Sequence, residues 1–175
     1  MTGAYPVNRR TIIIGEVATG KTLLTSKILQ RLLQYTSNDV ALIDMAPQAR
    51  GHIGGKIVLQ SDSPVRYYTD DFSPPRLTSS IEDEIFKIAH ENRLKAEKIF
   101  TKYIRQPALV LFINDVSIYL QAGDIEVLWS VISSTPTVVT NGYLSKSLGG
   151  GKFGDRERYL MKILIQKFDL SVFLS

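Results

Sequence analysis

The sequence of 175 residues predicts a three-layer α/β/α domain with a mainly parallel core sheet of five strands. Two patterns predict this class. Short runs that are apolar at every position alternate with stretches of helical periodicity, and a glycine-rich loop joins the first run to the first helix. Runs without polar alternation are typical of parallel strands covered by helices on both faces. We therefore expect residues 1–175 to form one domain.

Five apolar runs are the predicted strands. They are Thr11–Ile14, Val40–Asp44, Leu109–Asn114, Thr137–Asn141 and Leu170–Leu174. Helices are predicted between them, where apolar residues recur at spacings of three and four. The longest of these is predicted to begin at Ser79, with Glu82 completing a capping box, and the last to open at Asp155.

Residues 46–80 are predicted to be an irregular insertion between the second strand and the long helix. Lys56–Gln60 and Val65–Thr69 are predicted to pair as a hairpin, and residues 70–76 to be extended because Pro74 and Pro75 disfavour a helix. Inserted loops often carry specificity. The candidate segments for binding an acceptor or a partner are Arg50–Lys56 and Asp70–Arg76.

Composition excludes several classes of protein. The chain has no cysteine, which excludes disulfides and thiolate metal sites. No apolar run approaches the length that spans a bilayer, and no signal-peptide pattern opens the chain, so we expect a cytoplasmic protein without a membrane partner. A net charge of +4 permits nucleic-acid binding without indicating it. The basic segment Arg93–Arg105 is interpreted as a solvated helix face, with a nucleic-acid or acidic-protein surface as the alternative.

A complete phosphate-binding motif, G-x-x-x-x-G-K-[ST], occupies residues 15–22. A strand before it and a helix after it would aim the positive end of the helix dipole at a phosphate chain. Lys21 is predicted to reach the β- and γ-phosphates and Thr22 to ligate Mg²⁺; the alternative is a chance glycine-rich turn. The residues predicted to contact the nucleotide here are Gly15, Glu16, Val17, Ala18, Thr19, Gly20, Lys21, Thr22 and Leu23.

A metal-positioning acid is predicted at the end of a neighbouring strand. Asp115 follows the apolar run Leu109–Asn114, and ligands of open α/β sheets bind at the carboxyl ends of strands. Asp115 is therefore predicted to hold Mg²⁺ opposite Thr22 and, with Lys21, to be catalytic. The alternative is an acid that caps the turn into the next helix. Asp44, at the end of the second strand, is the second candidate metal ligand.

Together, Gly15–Thr22 and Leu109–Asp115 resemble the Walker A and Walker B elements of the P-loop NTPase superfamily. The element order looks like its RecA-like and kinase-like divisions, which implies that another strand lies between the loop strand and the Walker B strand. Residues 112–116 with Thr137–Gly142 are similar to the ATP:corrinoid adenosyltransferases. The phosphate loop of that family is rich in Gly and Lys, unlike residues 16–19 of this chain.

The resemblance also bears on the reaction. Many hydrolytic members carry a Glu directly after the Walker B Asp, and Val116 stands there in this chain. Hydrolysis is therefore predicted to be slow, to use Glu16 or Asp44 as the general base, or to be replaced by transfer to an acceptor other than water. The favoured alternative for Glu16 is a solvated loop residue.

The absence of a guanine-reading motif predicts which nucleobase the bound nucleotide carries. GTPases of the superfamily read guanine with [NT]-K-x-D after a late strand, and this chain has Thr140-Asn141-Gly142-Tyr143 there, which favours ATP over GTP. Asn141 itself resembles a polar sensor of the γ-phosphate, with ordinary Asn-Gly turn chemistry as the alternative.

Positive charges near the end of the chain form a candidate lid. Lys146, Lys152, Arg156 and Arg158 surround glycines 149–151. Arg156 is predicted to contact the nucleotide, or to reach a neighbouring subunit, and the alternative is a solvated charge cluster.

Three functions remain open from the sequence. The first is a Mg²⁺-dependent ATPase of weak intrinsic activity that a protein partner or self-assembly stimulates. The second is a kinase or related transferase that binds its acceptor in the 46–80 insertion. The third is a non-enzymatic module that changes partners on binding ATP.

Overall fold

Six parallel strands form one sheet in the computed structural model of the protein, which describes residues 8–35, 39–48, 55–144 and 152–175, without the side chains of residues 152 and 153. The strands are β1 Arg10–Gly15, β2 Val40–Asp44, β3 Arg66–Thr69, β4 Val110–Asn114, β5 Thr137–Tyr143 and β6 Leu170–Leu174. Their order is β3-β2-β4-β5-β1-β6, with every neighbouring pair parallel. The predicted fold class is confirmed, with six strands instead of five. Strand β5 lies between β1 and β4, as the resemblance implied.

Six helices are assigned in the described part of the chain. They are α1 Lys21–Tyr35, α2 Pro75–Thr78, α3 Glu82–Ile104, α4 Val116–Leu120, α5 Ile125–Ser133 and α6 Lys152–Gln166. None of the helices in these ranges is long and apolar enough to cross a membrane.

The core lies on both faces of the sheet because successive strand residues point to opposite sides. Ile13 packs with Leu29 of α1, whereas its neighbours Ile12 and Ile14 pack in the larger cluster with α3 to α6. All three isoleucines are buried. This alternation explains why the strands read as unbroken apolar runs.

The predicted hairpin in the insertion is wrong. Residues Arg66–Thr69 form β3, which pairs in parallel with β2, and Lys56–Gln60 is not a strand. Side-chain bonds also join β3 to β2. The guanidinium group of Arg66, the first residue of β3, donates to both carboxylate oxygens of Asp39, directly before β2, at 2.9 and 2.6 Å. The Thr69 hydroxyl also donates to the Asp44 carbonyl oxygen at 2.8 Å.

Two boundaries near the prolines also differ from prediction. Helix α2 begins at Pro75. Proline is compatible with this position because the N–H group that it lacks would have no partner in the first turn of a helix. Helix α3 begins at Glu82, three residues after the predicted start. The Ser79 hydroxyl accepts a bond from the Ile81 amide at 3.0 Å, so Ser79 organises the turn before the helix instead of capping it with Glu82.

Candidate functional site

The phosphate loop connects the end of β1 to the start of α1 at the carboxyl edge of the sheet. A Cβ on Gly15 would lie 2.5 Å from the Thr19 hydroxyl oxygen and 2.7 Å from the Leu174 carbonyl oxygen, so close packing against β6 requires glycine. Gly20 has a φ of +84°, a conformation that favours glycine. The two motif positions therefore require glycine for different physical reasons: close packing at Gly15 and a positive φ at Gly20.

The amino end of α1 supplies N–H groups at the loop. The Leu24 amide donates to the Gly20 carbonyl oxygen at 2.8 Å and closes the first turn. The N–H groups before it have no acceptor within a helix, and they carry the positive end of its dipole. This end of α1 is suited to bind an anion.

The Lys21 side chain folds over the loop. Its ammonium group donates to the Glu16 carbonyl oxygen at 2.5 Å and lies 5.7 Å from the centroid of the Tyr143 ring. Burial lowers the pKa of Lys21, and the charges of Asp115 and Glu16 act in the opposite direction. Lys21 thus sits between the loop and the carboxylate that follows β4.

The Thr22 hydroxyl contacts Asn114, a residue that the sequence analysis did not select. Thr22 Oγ1 donates to Asn114 Oδ1 over 3.3 Å. Asn114 is the last residue of β4, in register with Asp44 at the end of β2. The available signal was the strand boundary, since the last strand residue faces the crevice and Asp115 lies one position beyond.

Asn114 is fully buried, and its amide orientation is fixed by its partners. Asn114 Nδ2 donates to Asp44 Oδ1 at 2.9 Å and to the Gly55 carbonyl oxygen at 3.1 Å. Its Oδ1 accepts from Asn141 Nδ2 at 2.8 Å as well as from Thr22. A neutral amide here joins β2, β4, β5 and α1.

Asn141 lies within β5, so the Asn-Gly turn alternative does not describe it. Its Nδ2 also donates to the Thr25 hydroxyl at 2.8 Å, and its Oδ1 accepts from the Asp115 amide at 3.0 Å. Asn141 lines the cavity beside the loop. Its role as a phosphate sensor stays a prediction.

Asp115 adopts a left-handed backbone with φ +64° at the junction of β4 and α4. Its carboxyl group accepts a bond from the Ser117 hydroxyl. Burial raises the pKa of Asp115, opposed by the Ser117 bond and by the charge of Lys21. A left-handed residue other than glycine is uncommon, and such residues often mark functional sites.

Asp44 has both carboxylate oxygens engaged away from the loop. Oδ1 accepts from the Ala46 amide at 3.1 Å and from Asn114, and Oδ2 accepts from the Ile57 amide at 2.7 Å. Burial raises the pKa of Asp44. These bonds make Asp44 an anchor of the insertion, and they do not favour its predicted roles as metal ligand or base.

A cavity of about 630 Å³ opens beside the phosphate loop. Its lining includes Lys21, Thr22 and Asp115, with Val17, Ala18, Gly20 and Leu23 of the loop region. Gly15, Glu16 and Thr19 are not among the lining residues. Arg76 of α2, Gln121 after α4 and Glu157 of α6 line the same cavity.

Of the predicted lid residues, the two whose side chains the structure describes, Arg156 and Arg158, do not line this cavity. Arg156 is exposed and donates to the Gly123 carbonyl oxygen at 2.8 Å, and Arg158 pairs with Asp155 at 3.4 Å. Among the described residues, the cations that line the cavity are Lys21 of the loop and Arg76 of α2. Lys146, glycines 149–151 and residues 50–54 lie outside the described residues, as does the side chain of Lys152.

The oxygen donors near the loop fit a hard cation. Thr22 and Asp115 line the cavity and offer hydroxyl and carboxylate oxygens, ligand types that Mg²⁺ prefers alongside phosphate oxygens and water. Within the described ranges, no three His, Cys, Asp or Glu side chains cluster as metal ligands. This chain therefore fits Mg²⁺ as a partner of a bound phosphate chain rather than as the occupant of an all-protein site.

Comparison with known proteins supports the fold. The chain aligns over 98% of its length, and 73% of the other chain, with the crystal structure of the flagellar accessory protein FlaH from Methanocaldococcus jannaschii, at 12% identity and a TM-score of 0.56. The Pif1 helicase from Candida albicans gives 19% identity and a TM-score of only 0.40, over 95% of this chain and 36% of that one. No protein-family model and no curated protein sequence matches. The similarity to adenosyltransferases stays a prediction, and the chain has the α/β/α fold of P-loop NTPases.

Proposed function

We propose that this protein binds ATP with Mg²⁺ and hydrolyses it slowly. The observation that carries the proposal is the contact of Thr22 Oγ1 with Asn114 Oδ1 at 3.3 Å, beside a cavity that Thr22, Lys21 and Asp115 line. A hydroxyl, an ammonium group and a carboxylate thus converge where the loop would hold a phosphate chain. The preference for ATP over GTP rests on the absent guanine-reading element.

Phosphate binding in this proposal uses the loop backbone and Lys21. The N–H groups at the start of α1 would bind phosphate oxygens, and Lys21 would exchange its bond with the Glu16 carbonyl for one to the γ-phosphate. When bound, Mg²⁺ would neutralise part of the phosphate charge, held by Thr22 with Asn114 and Asp115 nearby.

Asp115 is the proposed base. It would accept a proton from water as the water oxygen bonds to the γ-phosphorus, while the bond from that phosphorus to the bridging oxygen breaks and ADP leaves. The raised pKa of Asp115 suits proton transfer. Val116, at the position where many hydrolytic members carry Glu, is fully buried in the core and has no group that could accept a proton. Hydrolysis should be slow for two reasons. The Ser117 hydroxyl already donates a hydrogen bond to the Asp115 carboxyl. The Asp115 side chain is also one methylene shorter than the Glu that many hydrolytic members of the superfamily carry at the next position.

The test is phosphate release from Mg²⁺-ATP by the wild-type protein and by Asp115→Asn. We expect the variant to lose at least about a hundredfold in rate, the typical contribution of a general base. The exposed Asp62→Asn is the matched control and should keep the wild-type rate. Equal rates for Asp115→Asn and the wild type would overturn the assignment of the base.

A transferase is the second candidate, and one observation favours it. The cavity continues from the loop to Pro47, Pro74, Arg76 and Leu77, all in the 46–80 segment predicted to bind an acceptor. Phosphorylated product that forms only with an added small-molecule library would support it. Tight ATP binding without turnover or transfer, alone or with a protein partner, would instead support the non-enzymatic module. The cytoplasmic location and an oligomeric state stay predictions.

A further inference from the structure

The second half of helix α3 carries the excess positive charge of the chain. Arg93–Arg105 contains five basic residues and one acidic residue, Glu97, so its net charge equals the +4 of the whole chain. Two of the five basic residues bond within the protein. Arg93 pairs with Glu97 at 2.9 Å, and the Lys95 ammonium group donates to the Asp71 carbonyl oxygen. The remaining excess charge therefore belongs to three residues of one helix.

These three residues are Lys98, Lys102 and Arg105, which form the basic stripe of α3. All three are exposed. Within the described part of the chain, none of them forms an ion pair or a hydrogen bond through its side chain. Their charges are thus available to a partner in solution.

Helix geometry places the basic stripe on one face. At about 100° per residue, Lys102 and Arg105 project within about 40° of Lys98, on either side of it. Arg105 follows the last residue of α3 and keeps a helical backbone, with φ −66°. The stripe spans about 10 Å along the helix axis, and one strand of a DNA duplex carries a phosphate about every 3.4 Å. Three cations therefore face about three phosphates.

The helix dipole explains only part of this placement. Lys102 lies in the last turn of α3, where a cation is stabilised by the negative end of the dipole. Lys98 lies more than a turn before the end of the helix, beyond the reach of that effect. A solvated helix cap thus does not account for the whole stripe.

Acidic groups around the basic stripe are bonded to other cations or lie apart from it. Glu97 is held by Arg93, and Asp39, near the end of the helix, is held by Arg66. The exposed Glu91 lies about 10 Å before the stripe along the helix axis. The local field along the stripe is therefore positive, and it favours an anionic partner.

The surroundings of the basic stripe favour a phosphate backbone over a protein or an unpaired strand. Leu94, 44% exposed, is the large apolar residue among the described residues of this face, whereas protein interfaces have an apolar core. Phe100 and Tyr103, the aromatic residues nearest to the stripe in the helix, are buried and cannot stack on bases as single-strand binding requires. A duplex backbone requires cations alone.

We propose that the basic stripe of α3 binds the phosphate backbone of a double-stranded nucleic acid without reading its sequence. Each of the three cations contacts one phosphate. The stripe lies at the edge of the sheet opposite the phosphate loop, because the carbonyl oxygen of Gln106 accepts a bond at 2.7 Å from Arg66, at the start of β3. Duplex binding in this proposal is separate from the nucleotide site and needs no ATP.

The experiment measures the fluorescence anisotropy of a labelled DNA duplex of about 20 base pairs with the full chain, without nucleotide. Three neutralised phosphates predict that log affinity falls with log salt at a slope of about −2.7. Between about 50 and about 200 mM salt, we therefore expect the affinity to fall about fortyfold.

Two triple variants of equal charge separate the basic stripe from net charge. The test variant neutralises the stripe through Lys98→Gln, Lys102→Gln and Arg105→Gln. The control variant removes the same charge from exposed positions of α1 and α6, through Lys27→Gln, Arg31→Gln and Lys162→Gln. At about 50 mM salt, we expect the test variant to bind at least about tenfold more weakly than the wild type, and the control variant to stay within about threefold of it.

Four results would overturn the proposal. They are no duplex binding at about 50 mM salt, equal losses in the two folded variants, tighter binding of a single strand of thymidines, and displacement of the duplex by polyglutamate as effective as by unlabelled duplex at equal charge. The last result would assign the surface to an acidic protein instead. The strand and polyglutamate comparisons use the wild-type protein, so the test holds even if a variant does not fold.

Discussion

At the scale of single residues, the neutral side chain of Asn114 decides the electrostatics beneath the phosphate loop. Its amide lies 2.9 Å from Asp44 Oδ1, and both residues are fully buried. A carboxylate at position 114 would therefore meet another carboxylate in a medium that screens charge poorly. The amide donates to Asp44 and accepts from Thr22, which a carboxylate could not do together.

We predict that Asn114→Asp lowers the free energy of unfolding by about 2 kcal/mol at neutral pH, through the lost donor and the new repulsion. Burial already raises the pKa of Asp44, and a second carboxyl would raise the shared pKa further. The loss of unfolding free energy is therefore present above the pKa that the two carboxyl groups share in the folded state. It shrinks as the pH falls through that pKa, because one of the two carboxyl groups takes up a proton. Urea unfolding of variant and wild type at about pH 5 and about pH 7 measures the difference.

The control for this prediction exchanges the two groups. The double variant Asp44→Asn with Asn114→Asp keeps one carboxyl and one amide, and it should recover part of the loss and its pH dependence. A loss in Asn114→Asp that is the same at both pH values would show that repulsion from Asp44 is not the cause.

Residue-level prediction succeeded where a motif fixes the geometry. The spacing of Gly15, Gly20 and Lys21 placed the loop between β1 and α1. It did not distinguish Asn114 from Asp115, although the predicted strand Leu109–Asn114 ends where β4 ends. The choice depends on the left-handed backbone at Asp115 and on the contacts of Asn114 with residues distant in sequence, which an apolar run followed by two polar residues does not record.

At the scale of elements, the phosphate loop is supported by the outer strand β6. The closest neighbours of a Cβ on Gly15 include the Leu174 carbonyl oxygen at 2.7 Å, a backbone atom paired within the sheet. A backbone atom cannot move aside as the end of a side chain can. Gly20, in contrast, has no atom of the described residues within 4 Å of its Cβ position apart from its chain neighbours, and its positive φ is the reason for glycine there.

We therefore predict that Gly15→Ala costs about 3 kcal/mol of unfolding free energy through steric overlap. Gly20→Ala should cost only about 1 kcal/mol, through its backbone conformation. Urea unfolding without nucleotide measures both. A Gly20→Ala variant as unstable as Gly15→Ala would contradict the packing of the loop on β6.

Long apolar runs made the core strands predictable, and local signals misled in the insertion. Strands β2 and β6 have the predicted bounds, whereas β3 was assigned to a hairpin. Its position depends on bonds to residues distant in sequence, such as Arg66 to Asp39, and no local pattern records them. Helix α2 differs from the predicted extended segment because Pro75 occupies its first turn, where a proline is compatible with a helix.

At the scale of the whole molecule, the insertion and the last helix meet across the cavity. Arg76 in the 46–80 segment pairs with Glu157 on α6, 81 residues away. Buried ion pairs are weak evidence for stability, because desolvation offsets the attraction between the charges. The raised pKa of Glu157 shows that desolvation outweighs its bonds to Arg76 and Gln121.

The raised pKa of Glu157 predicts how the stability of the protein depends on pH. The folded protein keeps the Glu157 proton up to about pH 7, whereas the unfolded chain releases it near the ordinary value of 4.5. The folded state therefore binds more protons between these values, and its stability falls as pH rises, by about 3 kcal/mol in total from this group. Glu157→Gln should remove that contribution and give a shallower fall.

Urea unfolding between about pH 5 and about pH 8 measures the slope for each protein. Glu91→Gln, on the exposed face of α3, is the control and should follow the wild type. A Glu157→Gln curve parallel to that of the wild type would contradict the raised pKa.

The loop at residues 15–22 is proposed to bind Mg²⁺-ATP through Lys21. Calorimetric titration of Mg²⁺-ATP into the wild type, Lys21→Ala and the exposed control Lys27→Ala tests it most directly. We predict one ATP bound per chain in the wild type and in Lys27→Ala, and affinity at least about tenfold weaker in Lys21→Ala, because a charge-assisted bond to phosphate is lost. A wild-type protein that binds no ATP, or a Lys21→Ala variant of unchanged affinity, would contradict it.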